Sequence, residues 1–315
     1  MTQPLTLKKT SDGRYIVKID ASLYSQTACP RRLWYMGARG LTYEAKSHKM
    51  EYGTAFHKAL QEFYTTGNEK AATALAIEHF EQDDIHVPDN DFRNMGHLVA
   101  TLQQYFMAYE QFDGLKADVG PDGPLLEQRF AVPYITDGEL LDVVLCGTVD
   151  MIGTYNGLPA LIDHKTTSLN QVEKYLDSYQ NSPQMMFYSM IWKRLFPDEK
   201  RNVVINGIFL NRSGRNKFQR SPFITFSDHV LEEFEQHLRQ TITAYMDNLR
   251  AVIKDGKEPD DMFFPNFTCC ETKFGTCKFS PVCTTPRKDD RETIIESLFP
   301  SHDLIALVKF SYSFY

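Results

Sequence analysis

The chain of 315 residues has no apolar run approaching the roughly 20 residues that a bilayer crossing needs. Its amino end, Met1 to Arg14, is polar and lacks an apolar signal-peptide core. Both absences lead to the expectation of a soluble, cytoplasmic protein with no membrane partner. Positive charge is not in excess either, since 34 basic residues against 41 acidic ones give a formal net charge of -7. Nothing global therefore draws the chain to nucleic acid, and any such site must be a local basic patch. Internal repeats, low-complexity tracts and Gly/Ser linkers are missing, so one domain with appendages is expected over residues 1–315. No Gly-x-x-x-x-Gly-Lys-Ser/Thr run occurs, which leaves any helicase motor to a separate partner.

What is present is globular. Hydrophobic residues make up 42% and charged ones 24%, enough to bury a core and too apolar for long disorder. Apolar residues at three- and four-residue steps predict helices from Ser22 to Met36, Lys46 to Tyr64, Ala71 to Gln82 and Asp91 to Phe112. From Leu125 the rhythm turns to short β-rich runs: Leu126 to Val132, Asp142 to Thr154 and Leu158 to Lys165, with a Tyr155-Asn156-Gly157 turn signal before the last. A helix from about Ser182 to Leu195, a strand from Val203 to Leu210, a turn at Ser213 to Asn216 and a strand from Lys217 to Phe226 follow. Leu231, Phe234, Leu238, Ile242, Tyr245, Leu249 and Val252 then share one helical face, expected to pack on the sheet. Strands set among helices give an α/β or α+β class.

Two acids and a lysine fall at the ends of the hairpin. Gly147-Thr148-Val149-Asp150 closes one strand run and Leu161-Ile162-Asp163-His164-Lys165 the next. Strand alternation puts Asp163 and Lys165 on one face and His164 on the other, and Asp150 can face the pair from across the hairpin. Such a set suits metal-assisted phosphodiester cleavage: carboxylates hold Mg²⁺ or Mn²⁺, and an ammonium orients water or stabilises developing charge. The same tripeptide taken alone reads more readily as a surface salt bridge, and acid-x-lysine recurs at Asp198/Lys200 and Asp255/Lys257. What distinguishes Asp163/Lys165 is its place after an apolar run and beside a strand ending in an acid. His57 lies one helical turn after Gly53, a small residue that lets other groups approach the imidazole; a lone helical histidine is otherwise more often structural.

Together these residues resemble the PD-(D/E)XK nucleases, and within them the RecB-like branch of helicase-nuclease and CRISPR-associated nuclease domains. The resemblance spans about Ser22 to Cys283 and rests on four motifs in order: Gly53/His57, Gly147/Asp150, Asp163/Lys165 and Gln184/Tyr188. It implies an α/β fold with a restriction-endonuclease-like core, a central mixed sheet flanked by helices, carrying an N-terminal helical block and a C-terminal cysteine cluster. The expected division is 22–120 for the helical part with Cys29 and His57, 121–255 for the catalytic sheet and helices, 256–290 for an iron-sulfur segment and 291–315 for a tail. It further implies metal ligation by His57, Asp150, Asp163 and the backbone carbonyl of His164, with Lys165 serving the attacking water. Gln184 and Tyr188 would contact DNA, although Tyr188 reads as well as a packing residue beside Met185 and Ile191. Glu127, on the preceding strand, is a further candidate for a second ion on position alone.

Four of six cysteines crowd between Cys269 and Cys283, and Cys29 stands far upstream, a pattern that points to metal in a reducing compartment. Thiolate ligation suits either zinc or an iron-sulfur cluster. The resemblance favours a 4Fe-4S cluster on Cys29, Cys270, Cys277 and Cys283, although the six residues between Cys270 and Cys277 exceed the usual two, and Cys269 could replace Cys270. Cys146 reads as a small buried strand residue. Two basic stretches with interleaved aromatics, Arg31, Arg32 and Arg39 near Trp34 and Tyr35, and Arg212, Arg215, Lys217 and Arg220 near Phe218, suit phosphate contact and stacking; such runs are more commonly solvated surface.

The expected function is a metal-dependent deoxyribonuclease, an exonuclease acting at DNA ends in recombination, repair or phage DNA metabolism. DNA is the expected partner, with a separate helicase or recombination protein beside it. Alternatives are a CRISPR adaptation-type end-trimming nuclease, an idle DNA-binding scaffold subunit, and a zinc-stabilised interaction protein.

Overall fold

A short strand, β1 (Tyr15–Ile19), precedes a helical block of α1 (His48–Thr66), α2 (Glu69–Gln82) and α3 (Met95–Tyr109). Strands β2 (Leu115–Ala117), β3 (Leu126–Thr136), β4 (Leu141–Tyr155) and β5 (Leu158–Thr167) follow, then helices α4 (Val172–Asp177) and α5 (Pro183–Leu195). Strands β6 (Asn202–Phe209) and β7 (Lys217–Arg220) lead to the long α6 (Asp228–Ile253) and to α7 (Arg291–Leu298). The computed structural model describes residues 5–41, 47–82, 87–272 and 275–299. Among these no helix is long and apolar enough to cross a membrane. The chain forms two compact units, Met1–Glu44 with Phe130–Gly147 and Glu232–Tyr315, and Ala45–Arg129 with Thr148–Leu231.

The second unit carries a mixed sheet. β4 and β5 are antiparallel from Tyr155↔Leu158 to Met151↔Ile162, β5 and β6 are parallel from Ala160↔Asn202 to Thr167↔Phe209, and β6 and β7 are antiparallel. β2 pairs antiparallel with the end of β4, Leu115↔Tyr155 to Ala117↔Gly153. The hairpin between β4 and β5 is tight because Asn156 and Gly157 both take left-handed φ, 50° and 81°, as a two-residue turn matched to strand twist requires. Seven of the eight residues of β6 are buried, so it lacks the alternation of a half-solvated strand and reads as a continuous apolar run. Helices flank this sheet. Tyr52, Phe56 and Leu60 of α1, Ala72 and Ala76 of α2, and Leu98, Leu102 and Tyr105 of α3 form one core with Ile208 and Leu210.

Local chemistry sets the helix limits. Ser47 caps α1 by accepting the Met50 amide, and Gly67 ends it at φ 69°. Asn94 caps α3 by accepting the His97 amide, so this helix begins later than the apolar spacing from Asp91 implies. The strand expected from Lys217 to Phe226 stops at Arg220, because Pro222 cannot donate to the ladder; beyond it Ser221 donates to the Ile205 carbonyl at 2.9 Å and Ile224 bridges back to Val203.

In the first unit β1 runs parallel to the first half of β4, Tyr15↔Leu141 to Ile19↔Leu145, a strand the polar amino end did not announce. The helix expected from Ser22 to Met36 is broken into Ala21–Tyr24, Pro30–Leu33 and a π-helical turn Trp34–Ala38. Pro30 forces the break: Cys29 before it is extended, with φ -126° and ψ 103°. On α6, Leu238, Ile242, Tyr245 and Leu249 are buried as the periodicity predicts, and Tyr134 of β3 donates to the Glu235 carbonyl at 3.2 Å. Cys146 in β4 is half-buried rather than buried.

Candidate active site

Asp150 and Asp163 stand one residue beyond the last hairpin pair, Met151↔Ile162, so both carboxylates leave the ladder together. Asp150 Oδ2 accepts the backbone N–H of His164 at 2.7 Å, taking the donor that the ladder no longer uses. Asp163, 4% exposed, lies on the face of Lys165, whose Nζ is 2.7 Å from its Oδ2. Burial raises the Asp163 carboxyl to about 6 although Lys165 pulls it down, and the Asp150 charge adds to the rise. Burial works against the Lys165 ammonium, but Asp163 and Asp150 outweigh it and hold the amine above the ordinary lysine range. Lys165 is therefore a fixed cation at the mouth of the acids.

His57 on α1 approaches from a second element, with Nδ1 3.6 Å from Asp150 Oδ2. Gly53, one turn earlier, makes the approach feasible, since a Cβ there would sit 3.1 Å from Thr166 Oγ1 of β5. Glu127 on β3 completes the cluster. Ligand atoms of His57, Glu127 and Asp150 all lie within 4.8 Å of one another, among the described residues. Glu127 adopts a left-handed φ of 50°, a conformation disfavoured for a side chain of this kind and held only where the surroundings demand it. Burial first, and then Asp150, raises its carboxyl; His57, Lys58 and Arg129 work the other way. Gathered acids and an imidazole are the donor set of a hard divalent cation, and these residues fit one. The sequence offered nothing but position for Glu127, because no motif surrounds it; its unusual backbone is visible only in three dimensions. A cleft of about 450 Å³ opens here, lined in part by His57, Glu127, His164 and Lys165.

His164 points to the face opposite Asp163 and Lys165, as alternation requires, and its ring meets that of His57 edge-on at 5.7 Å between centroids. Its ring is buried, Nδ1 accepts from the Asn206 amide at 2.9 Å, and burial lowers its pKa to about 3, so the imidazole is neutral. Asn206 also donates to Tyr105 Oη at 2.9 Å, Tyr105 and Tyr64 share a hydroxyl contact of 3.0 Å, and Tyr64 donates to Asp113 at 2.8 Å. Asp113 pairs in turn with Arg220. A buried polar chain thus runs from behind the acids to β7.

Gln184 and Tyr188 lie one turn apart on α5, with Gln184 Nε2 donating to Tyr188 Oη at 3.0 Å. Tyr188 is half-buried, and burial, with the nearby Asp163 charge, pushes its hydroxyl up to about 12. Met185 and Ile191 occupy the buried stripe. The arginines divide. Arg215 is exposed and Arg32 half-buried, whereas Arg31 is buried against Asp260 and the Phe263 carbonyl, and Arg220 is enclosed between Asp113 and the Tyr109 ring. Arg31 and Arg220 are therefore held inside the protein and have no open face for a phosphate. Arg39 is likewise taken up, in a two-point pair with Glu292.

In the first unit, Cys29 is buried and its Sγ accepts the Asn266 amide at 3.4 Å, while Cys277 donates its amide to the Cys270 carbonyl at 2.6 Å. Burial pushes the Cys283 thiol up to about 11; Arg31 opposes this, and Cys29, Cys277 and Cys270 add to it. Cys277 and Cys29 likewise push the Cys270 thiol up, after burial. Cys269 turns instead to the Ala28 carbonyl, 3.6 Å from its Sγ. A four-thiol set of this kind fits a soft metal or cluster by donor type.

A mixed sheet bearing, beside a lysine, an acid cluster that could hold a cation defines the class of α/β protein to which this chain is compared. Residues 22–284 match the family model of the PD-(D/E)XK nuclease superfamily, and the chain belongs to that superfamily, whose members use divalent metals. Among solved structures, a candidate exonuclease from Eubacterium rectale is similar at 12% identity, covering 86% of this chain and 88% of that one, with a TM-score of 0.46. An alkaline exonuclease from Laribacter hongkongensis is similar at 10% identity, covering 66% of this chain and 97% of that one, with a TM-score of 0.29. No curated protein matches the chain.

Proposed function

We propose that this superfamily member is a RecB-like DNA nuclease that hydrolyses phosphodiester bonds from DNA ends. The observation that carries the reading is the convergence of His57, Glu127 and Asp150 next to the Asp163–Lys165 pair. His57, Asp150 and Glu127 would hold Mg²⁺ or Mn²⁺, with Asp163 and the His164 carbonyl beside them. Such an ion supplies a Lewis acid and makes water a better nucleophile near neutral pH. Lys165, kept charged by two carboxylates, orients the attacking water and faces the negative charge that develops on the phosphate. Gln184 and Tyr188 border the acids from α5 and would position the DNA.

Action at ends follows the RecB-like resemblance, as does a place in recombination, repair or phage DNA metabolism beside a separate helicase. An end-trimming role in CRISPR adaptation fits the same site. A catalytically idle scaffold would share the fold, but it would not need Asp150, Asp163 and Lys165 together. On the first unit, Cys29, Cys270, Cys277 and Cys283 would hold a 4Fe-4S cluster as a staple between early and late chain segments. Thiolate ligation suits zinc as well, and the RecB-like resemblance is what favours the cluster.

The test uses anaerobically purified protein with end-labelled linear DNA and closed circles in Mg²⁺, Mn²⁺ and EDTA. Metal-dependent loss of linear DNA with intact circles is expected. Cleaved circles would contradict action from ends, and no cleavage of either would favour the scaffold.

A further inference from the structure

The three carboxylates of the site create a difficulty for its own substrate. Glu127, Asp150 and Asp163 are half-buried or buried, Lys165 is committed to Asp163, and the whole chain carries a net charge of -7. A polyanion entering such a cleft needs cations of its own to approach. Arg31 and Arg220 cannot provide them, being enclosed by Asp260 and Asp113.

Two other lysines line the cleft. Lys49 and Lys58 border it from α1, on either side of His57 in sequence, with the hydroxyl residues Thr54 and Thr166 between and opposite them. Lys49 is exposed; Lys58 is half-buried, and its Nζ donates to Gln61 Oε1 at 3.2 Å. At 1.5 Å per residue their positions span about 13 Å of helix axis, the length of a few nucleotides along one strand. His57 therefore lies within the stretch that the lysines bracket.

We infer that Lys49 and Lys58 bind backbone phosphates flanking the scissile one, so that the cleaved strand runs along α1 and is held by two lysines at the metal cluster. This rests on the nuclease reading above. The contacts are to phosphate, so they secure position and affinity and carry no sequence preference.

The experiment measures binding of a fluorescein-labelled DNA oligonucleotide in EDTA across a salt series, with cleavage kinetics in Mg²⁺ alongside. Wild type is compared with Lys49→Gln/Lys58→Gln and with Lys70→Gln/Lys200→Gln, which removes two exposed lysines that do not line the cleft. The cleft variant should lose about 1.4 to 1.8 from the slope of log affinity against log salt. Its KM should rise several-fold with kcat within about twofold, the signature of lost uniform binding. The control variant should keep the wild-type slope and KM. An unchanged slope in the cleft variant, with wild type active, overturns the inference and leaves the nuclease reading standing. Equal losses in both variants also overturn it, since the effect would then be one of general charge. A wild type that neither binds nor cuts DNA overturns both readings.

Discussion

The side-chain amide of Asn206 meets Nδ1 of His164 at 2.9 Å, joining the center of β6 to the strand that carries Asp163 and Lys165. His164 and Asn206 are register partners on the parallel β5–β6 ladder, so the contact is between neighbouring side chains on the face opposite Asp163 and Lys165. Because Asn206 donates, His164 Nδ1 is the acceptor and Nε2 carries the proton. The ring is thereby fixed, and with it the residue whose backbone N–H binds Asp150 and whose carbonyl, in the next peptide, is a proposed metal ligand.

Replacing Asn206 with Leu should therefore act on both fold and site. Tyr105 and His164 would each lose a partner in a fully buried position, at a cost of about 1–3 kcal/mol. Urea unfolding should show the lower midpoint, and Mn²⁺ titration a weaker affinity. Unchanged values for both would show that the amide anchors nothing.

Gly153 marks a second close approach. A Cβ at this position of β4 would lie 2.1 Å from the Lys116 carbonyl of β2. Gly153→Ala should push β2 from its place and cost about 1–3 kcal/mol, as overpacking commonly does. A chemical denaturation midpoint equal to wild type would contradict this.

His97 provides a pH dependence remote from the acids. Burial lowers its pKa below 6.5, with Arg93 acting the same way and the Asn211 carbonyl and Asp91 acting oppositely. Nε2 donates to Asn211 at 3.1 Å and Nδ1 accepts from Tyr52 at 2.8 Å, an arrangement that needs the neutral ring. Since the folded pKa is below the unfolded one, its contribution is complete above about pH 6.5 and is lost as pH falls through the folded value. The stability advantage of wild type over His97→Gln should shrink between pH 7.5 and pH 5.5. An advantage that grows on acidification would contradict the assignment.

The hairpin and its acids were legible in the sequence because each rests on a local rule. Asn156-Gly157 specifies the turn, period-two alternation separates Asp163 and Lys165 from His164, and Gly53 before His57 signals a tight approach. Glu127 was less legible, since it reaches the cluster through tertiary placement and a left-handed backbone rather than through a motif. Basic residues misled for a related reason. Arg31 and Arg220 sit in charge runs that look solvated, but Asp260 and Asp113, far away in sequence, claim them in the fold. The parallel strand at Tyr15–Ile19 escaped notice because its pairing partner lies more than a hundred residues downstream.

The cysteines yield a prediction of their own. On the proposed cluster ligation, Cys283→Ala should lower the iron content of anaerobically purified protein and its melting temperature, since a cluster bound only by the folded chain would stabilise it. Full iron with native melting would remove Cys283 from the ligand set.

The most direct test of the central claim is cleavage of end-labelled linear DNA by wild type and by Asp150→Asn, in Mg²⁺ and in EDTA, with folding of the variant checked by circular dichroism. The substitution keeps the side-chain shape and the acceptor for the His164 amide while removing the charge that the cation requires. Metal-dependent cleavage by wild type and its loss in a folded variant is the predicted result. A folded Asp150→Asn protein that cuts DNA at the wild-type rate would contradict the assignment of this cluster as the active site.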